Sequence, residues 1–304
     1  MTLALVSGGS GFVGRFIVER LLVEGMTVRV SGRTPPVDKF FSQAVEFVPQ
    51  ALDPESDFPL AVSGVDFFVH SAFDHLPGKY RGGEGGDAEG FGRRNHLGTV
   101  ALFRAAKAAG VRRAMFLSSR AVYGAQKPGA VLAELTVPHP DTLYGEVKLA
   151  AERDILAMAG EGFEPAVLRI TGVYGPAGQG RRHKWADLFD DWRTGREIAP
   201  RAGTEVHGED VASAVSLMFS TPAPVSGEVF NVSDILVDRR ELLGMAAEIT
   251  GVARPLPASA DLSALNVMSC EKLGMLGWRP GGNAKLIDFL HECLAASARS
   301  GRRE

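Results

Sequence analysis

The sequence predicts an α/β fold: a Rossmann-type, doubly wound parallel sheet with a small C-terminal substrate-binding domain. Three observations predict it. Short apolar runs alternate with helical patterns through the first half of the chain. A glycine-spaced turn, Gly8, Gly11 and Gly14, joins the first apolar run to the first helical pattern. After Ile170 the alternation breaks into closely spaced glycines: Gly172, Gly175, Gly178 and Gly180.

The elements follow in order. Leu3 to Val6 reads as a buried strand. Gly11 to Glu24 reads as a helix, with Phe12, Val13, Phe16, Ile17, Leu21 and Leu22 on one face. Strands are expected at Val28–Ser31, Val45–Val48, Asp66–His70, Ala114–Ser118 and Ala166–Ile170. Helices are expected at Asn95–Ala109 and Thr142–Ala159, ended by Gly110 and Gly160. Strands alternating with helices give a parallel sheet covered on both faces. Beyond it, Trp185–Trp192 and Asp210–Phe219 read as helices and Val229–Val232 as a strand. Asp238 and Glu241 form a capping-box pattern that opens another helix. A last helix runs from about Ala284 to Ala296. Residues 1–170, with 208–233 returning to them, are expected to form the dinucleotide-binding domain. Residues 171–207 and 234–304 are expected to form the substrate-binding domain.

Bulk properties narrow the function. The chain has 304 residues, 45% hydrophobic and 23% charged, with a net charge of −3. That balance favours neither nucleic acid nor an acidic surface as a partner. The two cysteines, Cys270 and Cys293, form no metal-ligand pattern and no disulfide framework. No metal is expected. The N-terminus lacks the basic and long apolar regions of a signal peptide, and no apolar run approaches membrane-spanning length. A cytoplasmic protein with a small-molecule substrate is expected. If the chain assembles, a homodimer is expected.

The chemistry-bearing residues lie at strand ends. In Ser7-Gly8-Gly9-Ser10-Gly11-Phe12-Val13-Gly14, glycine permits a tight turn and lets a pyrophosphate approach the free N–H groups of a helix start. Where an NAD site places an acidic residue at the end of the second strand, Gly32 and Arg33 stand here. An arginine can bind a 2′-phosphate that a carboxylate would repel, which points to NADP, with NAD the alternative. A solvent-facing arginine is the plainer reading. Tyr144 and Lys148 are four apart, so they share a helix face. A lysine cation there lowers a tyrosine pKa and suits proton exchange with a carbinol or carbonyl oxygen. The preceding strand ends in Ser118-Ser119, where a hydroxyl can hold that oxygen. His70 reads as structural. His207 and Asp210 are expected to hold the two domains together.

These residues resemble the extended short-chain dehydrogenase/reductases, the NAD-dependent epimerase/dehydratase group. The matching segments include Ser7–Gly14, Gly64–Ala72, Asn95–Thr99, Phe116–Gly124, Tyr144–Lys148, Leu168–Pro176, Val206–Ala212 and Leu276–Pro280. The resemblance implies that Ser119, Tyr144 and Lys148 are catalytic and that Tyr144 and Lys148 also meet the cofactor. It implies cofactor contacts at Gly8, Gly11, Phe12, Val13, Gly14, Arg33, Leu52, Ser71, Ala72, Thr171 and Val173. The activity implied is hydride transfer between a nicotinamide cofactor and a secondary alcohol or ketone, in a sugar or sugar derivative among other substrates. The alternative is a sugar-nucleotide epimerase that keeps its NAD(P).

The sequence also departs from the resemblance. Gly172 stands where sugar-nucleotide enzymes of the group carry Asn, and Arg201 falls earlier than their diphosphate-gripping Arg. Arg120-Ala121 replaces the Asp-Glu of the dehydratases, which argues against dehydration. Ala51 replaces an acidic residue beside adenine, unless Asp53 substitutes for it.

One long segment, Pro77–Arg94, holds seven glycines and reads as a loop. Two readings stand: a lid that brings Tyr80 or Arg81 to the substrate, or a plain surface insertion.

Overall fold

The computed structural model describes residues 2–56, 58–76, 83–178 and 180–300. The sheet begins with β1 (Leu3–Ser7), α1 (Phe12–Val23), β2 (Thr27–Gly32), β3 (Glu46–Pro49), α2 (Pro59–Val62) and β4 (Phe67–His70). It continues through α3 (Ala88–Gly92), α4 (Thr99–Ala108), β5 (Arg113–Ser119), β6 (Val131–Leu132), α5 (Leu143–Leu156) and β7 (Glu164–Ile170). The chain then leaves the large sheet for β8 (Gly172–Tyr174), α6 (Ala186–Arg193) and β9 (Ala202–His207). It returns with α7 (Gly208–Ser220) and β10 (Glu228–Val232). β11 (Ile235–Asp238), α8 (Arg239–Thr250), β12 (Val267–Met268), α9 (Glu271–Met275) and α10 (Gly282–Ser300) complete it.

Seven parallel strands run in the order β10-β7-β5-β4-β1-β2-β3. Sequence order reverses between β1 and β4. That reversal opens a crevice at the strand C-termini, because the connections on its two sides leave in opposite directions. One face of the sheet packs Val6, Val30, Val69 and Met115 against α1 and α7. The other packs Leu5, Phe68, Phe116 and Val167 against α2, α4 and α5. A smaller sheet, β11-β9-β8, sits beside a separate apolar cluster of Tyr174, Trp185, Phe189, Trp192, Leu243 and Phe289. Among the described residues, no helix is long and apolar enough to cross a membrane.

Residues 83–98, after β4, are more ordered than their glycines suggest. Asp87 accepts from the Gly90 amide at 2.8 Å and caps α3, whose Phe91 is buried against Phe73 at 5.4 Å between ring centres. A π-helical turn, Arg93–Gly98, follows and leads into α4. The glycines of this stretch therefore do not make one loop to Arg94, because a cap and a buried ring outweigh their backbone entropy. The helix predicted over Asn95–Ala109 starts earlier for the same reason. Tyr80 and Arg81 lie outside the described residues. Helix α5 ends at Leu156, three residues short of the expected Ala159, and Gly160 bridges to Phe163 instead.

Asp210 ties α7 to the last helix, whereas the hydrogen bond of His207 is local. Asp210 takes Lys285 Nζ at 2.7 Å and the Gly281 amide at 3.1 Å, joining α7 to the start of α10. His207 caps α7 by accepting from the Glu209 amide at 3.2 Å.

A buried ion pair crosses the core between α5 and β7. Arg169 donates to Glu152 at 2.7, 3.1 and 3.2 Å, and both side chains are nearly inaccessible, at 5% and 2%. Removing one partner strands the other charge in the interior. Arg169→Met should therefore destabilise the protein by about 3–5 kcal/mol. Adding Glu152→Leu to it should recover part of that loss. Urea denaturation of the two variants checks this; a loss under about 1 kcal/mol for Arg169→Met would refute it.

Candidate active site

The crevice at the strand reversal opens into a cleft of about 2000 Å³ that continues over the small sheet. At its inner end the Gly8 turn crosses the end of β4. Gly8 has φ +73°, and a Cβ there would lie 2.7 Å from the backbone N and Cα of Ala72. A Cβ on Gly14 would collide with the Gly8 carbonyl, and one on Gly11 would lie 3.0 Å from it. Glycine is required by these approaches. The Ser71 hydroxyl donates to the Ser7 carbonyl at 2.7 Å and locks the two strand ends together. Gly11 caps α1 in extended backbone without a side-chain bond, so the first helical N–H groups face the cleft unpaired by a cap.

This cradle fits a dinucleotide. Its glycines leave room for a phosphate at a helix start. The buried Thr171 hydroxyl and Gln50 amide line the cleft with no hydrogen-bond partner among the described residues, so a polar ligand has groups to satisfy. Gly8, Gly11, Phe12, Val13 and Gly14 line the inner end, Ser71 and Ala72 its wall, and Leu52 and Arg33 the end at β2 and β3. Gly98, in the π-helical turn, lets that turn close on Leu52, whose carbonyl lies 2.8 Å from where its Cβ would be.

Ser119, Tyr144, Lys148, Thr171 and Val173 line the same cleft. Ser119 ends β5, and its hydroxyl oxygen accepts from the Ala121 amide at 3.1 Å, which leaves its proton to donate. Thr142 caps α5, accepting from the Gly145 amide at 3.1 Å, and so starts the helix just before Tyr144. Gly145 packs against the Ala121 carbonyl, 2.6 Å from where its Cβ would be, so α5 closes on the turn after Ser119.

Lys148 is buried. Its ammonium donates to the Leu117 carbonyl at 2.8 Å and lies 4.5 and 4.6 Å from the ring centres of Phe73 and Phe116. Burial pushes it down to about 7, while the Glu152 carboxylate pulls it back up. Phe73 also meets Tyr144 edge to face, ring centres 4.9 Å apart.

His70 is fully buried behind the strand end. It bonds the Thr99 hydroxyl at 3.0 Å and stacks on Phe116, and burial lowers it to about 3, so it stays neutral.

Three residues around the site were not singled out from the sequence, and Phe73 carries no signal of its own. Phe73 seats both Tyr144 and Lys148. Glu152 lies one turn beyond Lys148 on the same helix face, and Arg169 interrupts an apolar strand. Those two charges in buried patterns are the signal that finds them. Asp74 pairs with both Arg33, at 3.0 Å, and Arg94, at 2.6 Å, and the Asn95 amide side chain stitches this segment down.

Known proteins share this architecture. A solved structure of MoeE5 in complex with UDP-glucuronic acid and NAD has 28% identity and a TM-score of 0.79, covering 98% of this chain and 99% of that one. A UDP-glucose 4-epimerase from Thermotoga maritima, at 22% identity and a TM-score of 0.80, shares the fold over 98% of this chain and 99% of its own. Among curated sequences, protein y4nG of Sinorhizobium fredii is 32% identical over 69% of this chain and 52% of its own length. A 3 beta-hydroxysteroid dehydrogenase/Delta 5-->4-isomerase of Mycobacterium tuberculosis is 33% identical over 58% of this chain and 48% of its own. The chain thus spans about half the length of these curated relatives. The model of the NAD dependent epimerase/dehydratase family matches residues 4–233, from the first strand through the return to the large sheet. The chain belongs to the NAD dependent epimerase/dehydratase family.

Proposed function

We propose that this chain is a nicotinamide-dependent oxidoreductase that interconverts a secondary alcohol and a ketone. The observation that carries this reading is the convergence of Ser119, Tyr144 and Lys148 on the cleft that the glycine turn opens. Residues 1–170 and 208–233 would hold the cofactor, and residues 171–207 and 234–304 the substrate.

Each group has a task its surroundings support. The Ser119 hydroxyl donates to the substrate oxygen. Tyr144 gives that oxygen a proton during reduction and takes it back during oxidation. Lys148 keeps the tyrosine acidic enough for the exchange, since a cation one helical turn away favours the phenolate. One N–H of Lys148 is used by Leu117; the others can reach a ribose hydroxyl. A bound nicotinamide supplies or accepts the hydride. The cofactor is NADP in this reading. A Cβ on Gly32 would meet nothing within 4 Å, so the end of β2 has space for a 2′-phosphate. Arg33 stands beside it, 74% exposed and held by Asp74 alone among the described residues.

Tyr144→Phe should lower turnover by about 10²–10⁴-fold with cofactor affinity nearly intact, because only the proton carrier is lost. Steady-state kinetics and a cofactor titration check both halves; full turnover in this variant would exclude Tyr144 as the acid/base.

Lys148 should cost the unliganded protein stability. Its folded value of about 7 lies below the ordinary 10.5, so the unfolded chain binds the extra proton between those values. The penalty is full below pH 7 and fades as pH rises towards 10.5. Lys148→Met should then melt higher than wild type at neutral pH, with the gap closing near pH 10, while turnover and cofactor affinity both fall. A melting gap independent of pH would contradict this.

Arg33→Ala should weaken NADP(H) by about tenfold or more and leave NAD(H) almost unchanged, since a charge-assisted bond is worth about 1.5–3 kcal/mol. Calorimetric titration with both cofactors decides it, and equal losses would point to NAD.

A further inference from the structure

The outer half of the cleft holds an ion pair that the proton-transfer groups do not use. Register places Ser119 opposite Ile170 in the large sheet. Two residues on, Gly172 stands opposite Glu205 in the small sheet. At about 3.3 Å per residue, Gly172 lies roughly 7 Å beyond the strand end that faces Ser119. A Cβ on Gly172 would lie 2.5 Å from Glu205 Oε2, 2.5 Å from Lys184 Nζ and 2.8 Å from Glu205 Oε1. Both charged heads therefore occupy the space over this backbone that a side chain would fill. Gly172, Lys184 and Glu205 all line the cleft.

The Lys184 ammonium donates to the Glu205 carboxylate, and the side chains are 32% and 11% exposed. Burial raises the Glu205 carboxyl, and the Lys184 and Arg201 cations pull it back down. Such a pair is not an economical way to hold a fold. An apolar pair of the same volume often does as well or better, because desolvating two ions offsets their attraction. Backbone pairing already joins β8 to β9 here. What the pair does offer the cleft is a donor and an acceptor side by side. The ammonium keeps two N–H groups and the carboxylate keeps lone pairs.

We propose that the Lys184–Glu205 pair, seated over Gly172, determines substrate specificity by binding a hydroxyl next to the reacting carbon, which donates to Glu205 and accepts from Lys184. The substrate class is a vicinal diol or hydroxy-ketone of polyol or sugar type. A hydrocarbon skeleton such as a steroid would cover the pair and bond neither group, leaving the remaining N–H groups and lone pairs without water or partner. This inference rests on the oxidoreductase reading and extends it to the substrate.

Binding tests it without relying on turnover. The full chain, saturated with NADPH, is titrated with free aldoses, a linear polyol, UDP-glucose and a 3β-hydroxysteroid. At least one hydroxyl-rich probe should bind wild type more tightly than the steroid does. Glu205→Gln and Lys184→Met should each weaken that probe by about tenfold or more, the worth of a charge-assisted bond. Cofactor affinity should not change. Gly172→Ala alters neither charged residue but displaces both heads, and it should produce the same loss, which guards against a folding defect in either of the other variants. The proposal is overturned if no hydroxyl-rich probe binds, if the steroid binds best, or if the three variants bind the probes as wild type does. The catalytic reading fails separately, through full turnover in Tyr144→Phe, and that outcome leaves these titrations unaffected.

Discussion

A single buried carboxylate governs where Lys148 and Tyr144 stand. Glu152 is 1% exposed, and an ion in that position must be neutralised on the spot. Arg169 of β7 does so through three donor contacts, and the Ser118 hydroxyl of β5 donates to it as well. Helix α5 is thereby fixed in rotation and height against two strands of the sheet. Lys148 and Tyr144 lie one and two turns back along that helix. Their position over the end of β5, where Ser119 sits, follows from the pairing. The same carboxylate partly restores the charge that burial removes from Lys148. The network reaches further. Arg169 stacks 4.8 Å from the centre of the Tyr123 ring, and the Tyr123 hydroxyl donates to Asn231 of β10 at 2.7 Å. Asn231 in turn donates to the carbonyls of Leu132 and Ser269, each at 3.0 Å. One polar chain thus holds the helix of Tyr144, the strand of Ser119 and the edge of the sheet.

The second constraint is closeness of backbone at the strand reversal. Gly8, Ala72 and Gly14 approach within distances that any larger residue at the glycines would prevent. This compactness shapes a narrow floor to the cleft, beside a start of α1 that no side chain caps. It also puts Phe73, two residues past Ser71, against Lys148 and Tyr144. The glycine turn and the Tyr144–Lys148 pair therefore share one wall. A change at that wall acts on both, since packed interiors move in concert rather than piecewise.

The proposed substrate recognition depends on a different piece of geometry. After Ile170 the chain passes from the large sheet to the small one within two residues. The passage carries the cleft past Ser119 to residues of β9 and of the segment before α6. These lie more than ten residues apart along the chain; sheet pairing brings Glu205 to Gly172, and the segment before α6 brings Lys184 to both.

The parallel sheet, its glycine turn and the Ser119, Tyr144 and Lys148 arrangement were legible in the sequence, because each rests on local spacing. A turn needs glycine within seven residues, and a shared helix face needs residues four apart. The helical stretch at Ala88–Gly92 was not legible, because a cap and one buried phenylalanine overrode a glycine-rich composition. Neither was the pairing of Arg33 with Asp74, which lies 41 residues away, nor that of Lys184 with Glu205, 21 residues away. The sequence by itself determined the sheet, the glycine turn and the shared helix face of Tyr144 and Lys148, since these follow from periodicity and from residues close in the chain. Tertiary structure alone decided which charges neutralise Glu152, what presses on Lys148 and what fills the space over Gly172. Those are contacts between distant segments, and no local spacing encodes them.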